Sequence, residues 1–122
     1  MARIIELPSH TDERGRLTVI DRNLPFAIAR VYYMYAAPGK PRGGHRHRKT
    51  VQALVCVAGS CVVEWNNGRG KGMETLDTPD KLLLLQPEDW HVMRDFSPDA
   101  VLLVLASEPF DPDDYIDEGY DF

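Results

Sequence analysis

The sequence predicts a single all-β domain, built as a sandwich or a barrel. Its apolar residues fall into short runs rich in β-branched and aromatic side chains, and turn signals separate these runs every 8 to 12 residues or so. A chain of 122 residues that is 43% hydrophobic and 27% charged suits one domain with a substantial core. Since we find no internal repeat, low-complexity tract or linker, we expect the domain to span residues 1–122.

Each predicted element follows from local composition. Residues 37–41 contain two prolines and a glycine and should form a loop, and Asn66–Gly70 is the strongest turn signal because Asn and Gly tolerate positive φ. A turn at residues 58–60 should join two strands as a hairpin. The only helix candidate, residues 112–118, is short and dense in acids, so we expect a single turn or an extended tail. Strands are predicted at residues 3–7, 17–20, 27–36, 45–57, 61–65, 73–76, 81–86, 90–96 and 101–107.

The apolar strands should share one β core. We expect its members to come from the most hydrophobic runs of the second half of the chain. They are Val55, Val57, Leu83, Leu85, Val101, Leu103 and Leu105.

The net charge of −5 is unevenly distributed. The stretch from Glu108 onward holds seven of the 19 acidic residues and no Lys or Arg, so 12 acids stand against all 14 basic residues in the rest. This slightly positive body is not basic enough for a general nucleic-acid binder, and one local basic cluster suits a small anionic ligand better. No apolar run approaches the length of a membrane span, about 20 residues.

The two cysteines should not be bonded to each other. Cys56 and Cys61 flank a predicted turn, and we expect buried, reduced thiols in preference to a disulfide or a two-cysteine metal site. The N-terminal residues show no apolar signal region, which favours the cytoplasm.

The predicted strand at residues 45–57 is the most informative stretch. A basic, glycine-containing entry leads into His45-Arg46-His47-Arg48. Because side chains alternate along a strand, His45 and His47 share one face and the two arginines point to the other. Two imidazoles about 7 Å apart along a strand can converge on a metal ion or on one small molecule.

The spacing of His45, His47, Gln52 and Gly59 resembles the first motif of the cupins. Residues 87–91, Pro-Glu-Asp-Trp-His, resemble their second motif, one residue short and without its Gly. This resemblance implies a cupin-type jelly roll, here with a short acidic C-terminal tail. Metal cupins use three histidines and a glutamate, whereas this chain has Gln52, whose amide is a weaker metal ligand. We therefore place Gln52 among the substrate-binding residues. Three interpretations are possible: a metal-free pocket whose imidazoles transfer protons, a metal site, and histidines that only pack. We favour the first.

Short segments spread over nearly the whole chain match a narrower pattern. They are Arg14-Gly15, Pro25-Phe26, Arg30-Val31-Tyr32-Tyr33, Pro41-Arg42-Gly43, His45-x-His47, Gln52-x-Leu54-Val55-Cys56, Gly59-Ser60-Cys61, Thr75-Leu76-Asp77, Trp90-His91, Asp95-Phe96-Ser97, Val104-Leu105-Ala106-Ser107 and Asp114-Tyr115-Ile116. With these segments the sequence resembles the dTDP-4-oxo-6-deoxyglucose 3,4-ketoisomerases of deoxyamino-sugar biosynthesis. The chain departs from that pattern at Gly44, where members carry a bulky aromatic, and at Val51, where an acid is frequent.

The resemblance implies a metal-free, cofactor-free homodimer that exchanges N-terminal strands. It also implies a dTDP-4-oxo-6-deoxyhexose substrate, whose ketone moves from C4 to C3 for a following aminotransferase. A neutral imidazole can remove the C3 proton and an imidazolium can protonate C4. We assign His47 as the base and His45 as the acid or oxygen partner, while His91 should border the site as an orienting or polarising group.

The nucleotide needs groups other than histidine. Arg42 is the first candidate for the diphosphate, because a guanidinium fork matches phosphate oxygens and Arg42 precedes the histidines. Arg14, Arg16 and Arg94 are further candidates, although each also fits a solvated surface charge. Tyr33 and Tyr35 can line the pocket or stack on thymine, or they can pack in the core.

Two other classes of function remain open at this stage. One is a metal-dependent cupin enzyme, such as a dioxygenase or a phosphosugar isomerase. The other is a non-catalytic cupin that binds a sugar nucleotide. Metal analysis of the purified protein separates the first from the ketoisomerase, and a binding titration paired with a turnover assay separates the second.

Overall fold

A computed structural model describes residues 1–36 and 39–121 and confirms the all-β prediction. Its strands are β1 Arg3–Glu6, β2 Ser9–Asp12, β3 Gly15–Thr18, β4 Arg30–Tyr35, β5 Arg42–His47, β6 Gln52–Ala58, β7 Cys61–Asn66, β8 Lys71–Leu76, β9 Lys81–Leu85, β10 Trp90–Arg94, β11 Val101–Ala106 and β12 Tyr115–Ile116. A 3-10 helix covers Pro112–Asp114. In the predicted loop at residues 37–41, Ala37 and Pro38 lie outside the described residues. In the described part of the chain, no helix combines the length and apolar character needed to cross a membrane.

Two antiparallel sheets of five strands each face one another. The first sheet has the order β1-β9-β6-β11-β4, and the second has the order β12-β5-β10-β7-β8. Strands β2 and β3 form a separate two-stranded hairpin, in which Ser9 lies opposite Thr18. The predicted strand at residues 17–20 therefore begins and ends earlier, because its pairing partner is the polar segment Ser9–Asp12, which the hydrophobic pattern did not mark as a strand.

The core consists of two clusters and not of one. The larger fills the space between the sheets and includes Leu83 and Leu85, both predicted core residues. A second cluster, which includes Val55 and Leu105, covers the outer face of the first sheet together with residues of the N-terminal region. Because both faces of β9 are covered, its four leucines are all buried instead of alternating. Val101 and Leu103 are half-buried. The prediction is wrong for Val57, which is 44% exposed near the end of β6.

The predicted single strand at residues 45–57 is also wrong, because the chain leaves one sheet and enters the other. Strand β5 ends at His47 in the second sheet, and β6 begins at Gln52 in the first. Between them, the backbone N–H groups of Arg48 and Lys49 donate to the Asp114 carboxylate, over 3.2 and 2.8 Å. Amides bound to a side chain cannot continue a ladder, so the chain bends there.

The turn at residues 58–60 likewise joins strands of different sheets, which corrects the predicted hairpin. Strand β6 pairs with β9 and β11, whereas β7 pairs with β8 and β10. The C-terminal segment confirms the expectation of a single turn: the 3-10 helix is followed by the two-residue strand β12, which pairs with β5 at the edge of the second sheet.

The two cysteines agree with the prediction. Cys56 and Cys61 are both buried, at 0% and 1% exposure, and both are free.

Candidate active site

The three histidines meet where β12, β5 and β10 lie side by side. Ladder pairing sets His91 opposite His45 and Tyr115 opposite His47. The ring centroid of His45 lies 5.1 Å from that of His47 and 5.0 Å from that of His91, and the rings of His47 and His91 are 6.2 Å apart. We call His45, His47 and His91 the histidine cluster.

His47 is held by a buried carboxylate. Its Nδ1 lies 2.9 Å from Oδ2 of Asp114, and both side chains are 3% exposed. In the neutral imidazole this hydrogen bond assigns the proton to Nδ1, which leaves Nε2 as the acceptor. Nε2 is buried and has no hydrogen-bond partner among the described residues. An acceptor nitrogen in that condition is suited to take a proton from a bound molecule.

Asp114 is fully engaged. Its carboxylate accepts hydrogen bonds from the Thr50 hydroxyl and from the amides of Arg48 and Lys49, besides that from His47. Burial by itself would raise the pKa of Asp114, but these donors together lower it below its usual value. Asp114 is therefore ionised at neutral pH and keeps His47 in one orientation.

The pKa of each ring in the histidine cluster lies below its ordinary value, which favours the neutral form at pH 7. Burial lowers the pKa of His47, which Asp114 partly opposes and the positive charge of Arg30 reinforces. Burial, followed by the charge of His47, lowers the pKa of His45. Burial lowers the pKa of His91 to about 4, against an opposing hydrogen bond from its Nδ1 to the Asp89 carbonyl oxygen at 3.0 Å. Neutral imidazoles can act as bases near physiological pH.

Aromatic residues close the other side of the cluster. The Tyr115 ring lies 4.7 Å from the ring of His45 and 4.6 Å from that of His47. Its hydroxyl accepts a 3.4 Å hydrogen bond from Nη1 of Arg30. Tyr32 extends from the first sheet toward the same region, where its hydroxyl accepts a 3.0 Å hydrogen bond from Nε2 of Gln52. Arg30, Gln52, His47 and Tyr115 line one narrow cavity at this end of the barrel.

Of the predicted binding residues, the structure brings Gln52 and Arg42 toward this end. Gln52 is 3% exposed and lines the cavity. Arg42 pairs with Met93, which faces the core, so Arg42 lies on the face of His45 and His47. An irregularity in the β5–β10 ladder makes this possible, because Gly43 and Gly44 adopt φ of +88° and +80° there. A simple alternation would have put Arg42 on the opposite face.

The structure separates the other predicted binding residues from the histidine cluster. Arg94 lies on the outer face of β10, where it contacts Glu64 and Met73. Tyr33 and Tyr35 lie on the face of β4 opposite to Tyr32 and are 61% and 65% exposed. The last two predicted binding residues, Arg14 and Arg16, lie on the exposed β2–β3 hairpin.

Sequence reasoning did not identify Asp114, Tyr115 or Arg30 as site residues. Asp114 and Tyr115 belong to the acidic segment that was interpreted as a turn or a tail, and no spacing rule links them to histidines some 70 positions earlier. Their only signal was membership of the short segments that match the ketoisomerase pattern. Among the described residues, no group of three or more His, Cys, Asp or Glu side chains is arranged to hold a metal ion.

Comparisons with known proteins agree with this geometry. Residues 1–122 match the protein family described as "FdtA: WxcM-like, C-terminal". The chain is 44% identical over 117 residues to the TDP-4-oxo-6-deoxy-alpha-D-glucose-3,4-oxoisomerase of Aneurinibacillus thermoaerophilus, covering 93% of this chain and 84% of that protein.

Solved structures of 3,4-ketoisomerases also resemble this chain. A 3,4-ketoisomerase from Helicobacter canadensis superposes with a TM-score of 0.91 at 36% identity, covering 96% of this chain and 90% of that one. A mutant of the 3,4-ketoisomerase QdtA from Thermoanaerobacterium thermosaccharolyticum, solved in complex with TDP-4-keto-6-deoxyglucose, superposes with a TM-score of 0.91 at 35% identity and covers 96% and 87% of the two chains. The predicted cupin-type jelly roll is thereby confirmed.

Proposed function

This chain belongs to the family of FdtA and WxcM-like sugar 3,4-ketoisomerases, and we propose from that premise how it acts on TDP-4-oxo-6-deoxyglucose. The enzyme is an isomerase that moves the ketone of this sugar nucleotide from C4 to C3. The observation that carries the mechanism is the buried, unpartnered Nε2 of His47, whose other ring nitrogen is held by Asp114.

The first step is proton removal. Nε2 of His47 takes the proton from C3, the C3–H bond breaks, and its electrons form a C3=C4 double bond while the C4 carbonyl oxygen gains the charge of an enediolate. The imidazolium that results is stabilised by the Asp114 carboxylate, 2.9 Å from Nδ1. Asp114 thus acts as a positioning residue.

The second step returns a proton to C4. The C3 hydroxyl proton passes to the C4 oxyanion, which becomes the C4 hydroxyl. An imidazolium protonates C4 as the C3=C4 electrons leave C3 and the C3 carbonyl forms, so no oxidant or reductant is consumed. His45 is our candidate for the acid or oxygen partner, because its ring lies 5.1 Å from that of His47 and is half-buried. His91, fixed by its hydrogen bond to the Asp89 carbonyl oxygen, is proposed as the group that orients or polarises the sugar.

The nucleotide is held mainly by Arg42 in this proposal. Arg42 is exposed at the start of β5 on the histidine face, where it can meet a diphosphate that enters from solvent. The same type of nucleotide occupies the QdtA structure with TDP-4-keto-6-deoxyglucose. We assign no contact with the cluster to four predicted binding residues, because two lie on the exposed β2–β3 hairpin and two on the face of β4 opposite to Tyr32; they are Arg14, Arg16, Tyr33 and Tyr35.

We extend the proposal to a homodimer with exchanged N-terminal strands. The outer face of the first sheet exposes large apolar side chains, including Val31, Tyr33 and Tyr35, and burying them against a second copy would stabilise the pair. The β2–β3 hairpin pairs only with itself in the described chain, so it is free to cross to a partner. A monomer in solution at micromolar concentration would contradict this part.

The cytoplasm is the proposed location, since two buried free thiols suit a reducing compartment. Cell fractionation followed by immunoblotting would test it, and recovery in an oxidising compartment would contradict it.

The decisive experiment is turnover. Incubation with TDP-4-oxo-6-deoxyglucose and a 3-aminotransferase, read by NMR, should give the 3-amino sugar nucleotide. In D₂O the product should carry deuterium at C4, and EDTA should leave the rate unchanged. Tight binding of the nucleotide without turnover would indicate a non-catalytic binding protein. Loss of turnover with EDTA, together with stoichiometric Fe, Mn or Zn, would indicate a metal enzyme.

A further inference from the structure

Arg30 is a half-buried cation beside the histidine cluster. Its guanidinium carbon lies 4.3 Å from the ring centroid of Tyr32 and 5.1 Å from that of Phe110, so the group contacts two aromatic rings. Its one hydrogen bond in the described structure is the 3.4 Å contact from Nη1 to the Tyr115 hydroxyl. A guanidinium has five N–H donors. The aromatic rings attract its charge but do not accept hydrogen bonds as a carboxylate does, so most of its donors stay available.

The acidic side chains around Arg30 form hydrogen bonds or ion pairs with other residues. Glu108, Asp111 and Asp114 line the same cavity, yet none forms an ion pair with Arg30 in the described part of the chain. Glu108 lies 3.9 Å from Nζ of Lys49, and Asp111 accepts a hydrogen bond from the amide of Asp113. Asp114 is occupied by His47 and its other donors. The guanidinium therefore keeps donors and charge for a bound anion.

The charge of Arg30 reaches the catalytic ring. Arg30 and His47 line one cavity, Tyr115 contacts both, and the Arg30 charge contributes to the lowered pKa of His47. When His47 takes the C3 proton, two charges appear at once: an imidazolium and an enediolate. Asp114 faces the imidazolium, whereas the groups proposed to face the sugar oxygens, His45 and His91, are neutral rings that carry no charge to balance the enediolate.

We propose that Arg30 is a catalytic residue that donates a hydrogen bond from its guanidinium to the oxygen of the enediolate. The inference rests on the proposed ketoisomerase reaction. As C3–H breaks and the electron pair moves to the C4 oxygen, the Arg30 N–H groups meet the charge that develops there. Arg30 thus has a different role from Arg42, because the diphosphate is already charged before the reaction, whereas the enediolate exists only during it. Preorganised donors of this kind act on the transition state.

The test uses Arg30→Met, which keeps a long apolar side chain beside the two rings and removes the charge. We expect kcat to fall by about 10² to 10³, the usual cost of removing one such donor, with the Kd for TDP within about twofold of wild type. Exchange of the C3 proton should slow with kcat, because both need the enediolate. The acid limb of the pH–rate profile should move to higher pH, since the charge that lowers the pKa of His47 is gone.

Two arginine variants serve as controls. Arg22→Met removes an exposed loop guanidinium and should change neither kcat nor the Kd for TDP. Arg42→Met should weaken TDP binding, opposite to the pattern expected for Arg30→Met. If Arg30→Met weakens TDP binding and leaves kcat unchanged, Arg30 binds phosphate and the proposal is wrong.

Folding and the underlying reaction are checked separately. If Arg30→Met does not fold, Arg30→Gln is measured by the same two readouts, and an unchanged kcat in it overturns the proposal. Absence of turnover in the wild-type protein would contradict the ketoisomerase function itself. A wild-type enzyme that turns over while a folded Arg30→Met is equally fast would refute only the role of Arg30.

Discussion

The first and the second sheet are built from the same antiparallel ladders, yet they bury different kinds of side chain. In the first, the runs in β6, β9 and β11 are apolar on both faces, because one face meets the opposite sheet and the other is covered by the second core cluster. In the second, β5, β12 and β10 bring His47, Tyr115 and His91 together at one edge, with the carboxylate of Asp114 behind them. Most of the first sheet is a scaffold whose contacts determine stability, and it reaches the site only through Arg30 and Tyr32 of β4 and Gln52 of β6. The edge of the second sheet carries the histidine cluster.

The largest expected effect comes from the edge of the second sheet. His47→Asn should lower kcat by about 10² to 10⁴, because it removes the group that we propose as the base for the C3 proton. Affinity for TDP should stay close to wild type, since Arg42 is proposed to hold the nucleotide. The free energy of unfolding should fall by about 1.5 to 3 kcal/mol for the lost hydrogen bond to the ionised Asp114. Steady-state kinetics and calorimetry measure these quantities.

Controls for this variant are available in the chain. His10→Asn changes an exposed histidine of the β2–β3 hairpin and should leave kcat unchanged. His45→Asn should also be slow, and it should still exchange the C3 proton if His45 acts only in the later step. Full activity in both His45→Asn and His47→Asn would move the chemistry away from β5 and remove the contrast between the sheets.

A core substitution in the first sheet should lower stability and leave kcat unchanged. Leu83→Ala opens a cavity at a fully buried position of β9, so we expect the free energy of unfolding to fall by about 2 to 5 kcal/mol. At temperatures where the variant is folded, its kcat should match that of wild type. The matched control is Met73→Ala on the second sheet, where the side chain is 58% exposed and the change in stability should be about 0.5 kcal/mol or less. Urea unfolding measures both, and a loss of kcat in folded Leu83→Ala would contradict the separation of roles.

Acid should destabilise the whole protein through His91, a buried group of the second sheet. The pKa of His91 is about 4 in the folded protein, below the ordinary value of 6.5, because its charged form is disfavoured by burial. The unfolded chain therefore binds more protons between these values. The stability due to the neutral His91 is complete above about pH 6.5 and is lost as the pH falls toward about 4, a total of about 3 kcal/mol.

Urea unfolding across this pH range measures the effect. His91→Gln, which does not titrate, should show a shallower loss of stability than wild type, whereas His10→Gln on the exposed hairpin should not. Equal slopes for wild type and His91→Gln would show that His91 is not the group responsible.

A smaller effect is expected at the solvent-facing end of β5. Arg42→Ala should weaken TDP binding by about 1.5 to 3 kcal/mol, the range for a lost hydrogen bond to a charged group. The difference from wild type should shrink at high salt, because Arg42 is exposed and its charge is screened. Calorimetry at low and high salt tests this, and an unchanged Kd would remove Arg42 from the nucleotide site.

Most strands were predictable because their signals are local. The apolar runs of β9 and β11, the aromatic run of β4 and the Asn-Gly turn after β7 all depend on neighbours within a few residues. The pairing of His45 with His47 was predictable for the same reason, since alternation along one strand sets their common face. His91 was identified through its resemblance to the second cupin motif, and the ladder between β5 and β10 confirms that it lies beside His45.

The sequence alone determined the all-β fold, the buried thiols and the choice of His45, His47 and His91 as site residues. Periodicity, turn chemistry and motif spacing involve residues that are close together in the sequence, so these features can be recognised without the structure. Only the tertiary structure decided that the chain changes sheets between His47 and Gln52, that a glycine bulge turns Arg42 to the histidine face, and that Asp114 holds Nδ1 of His47. These features depend on which distant segments pack together. A carboxylate 67 positions from its histidine carries no periodic signal of the contact, and the contact exists because β12 closes the edge of the second sheet.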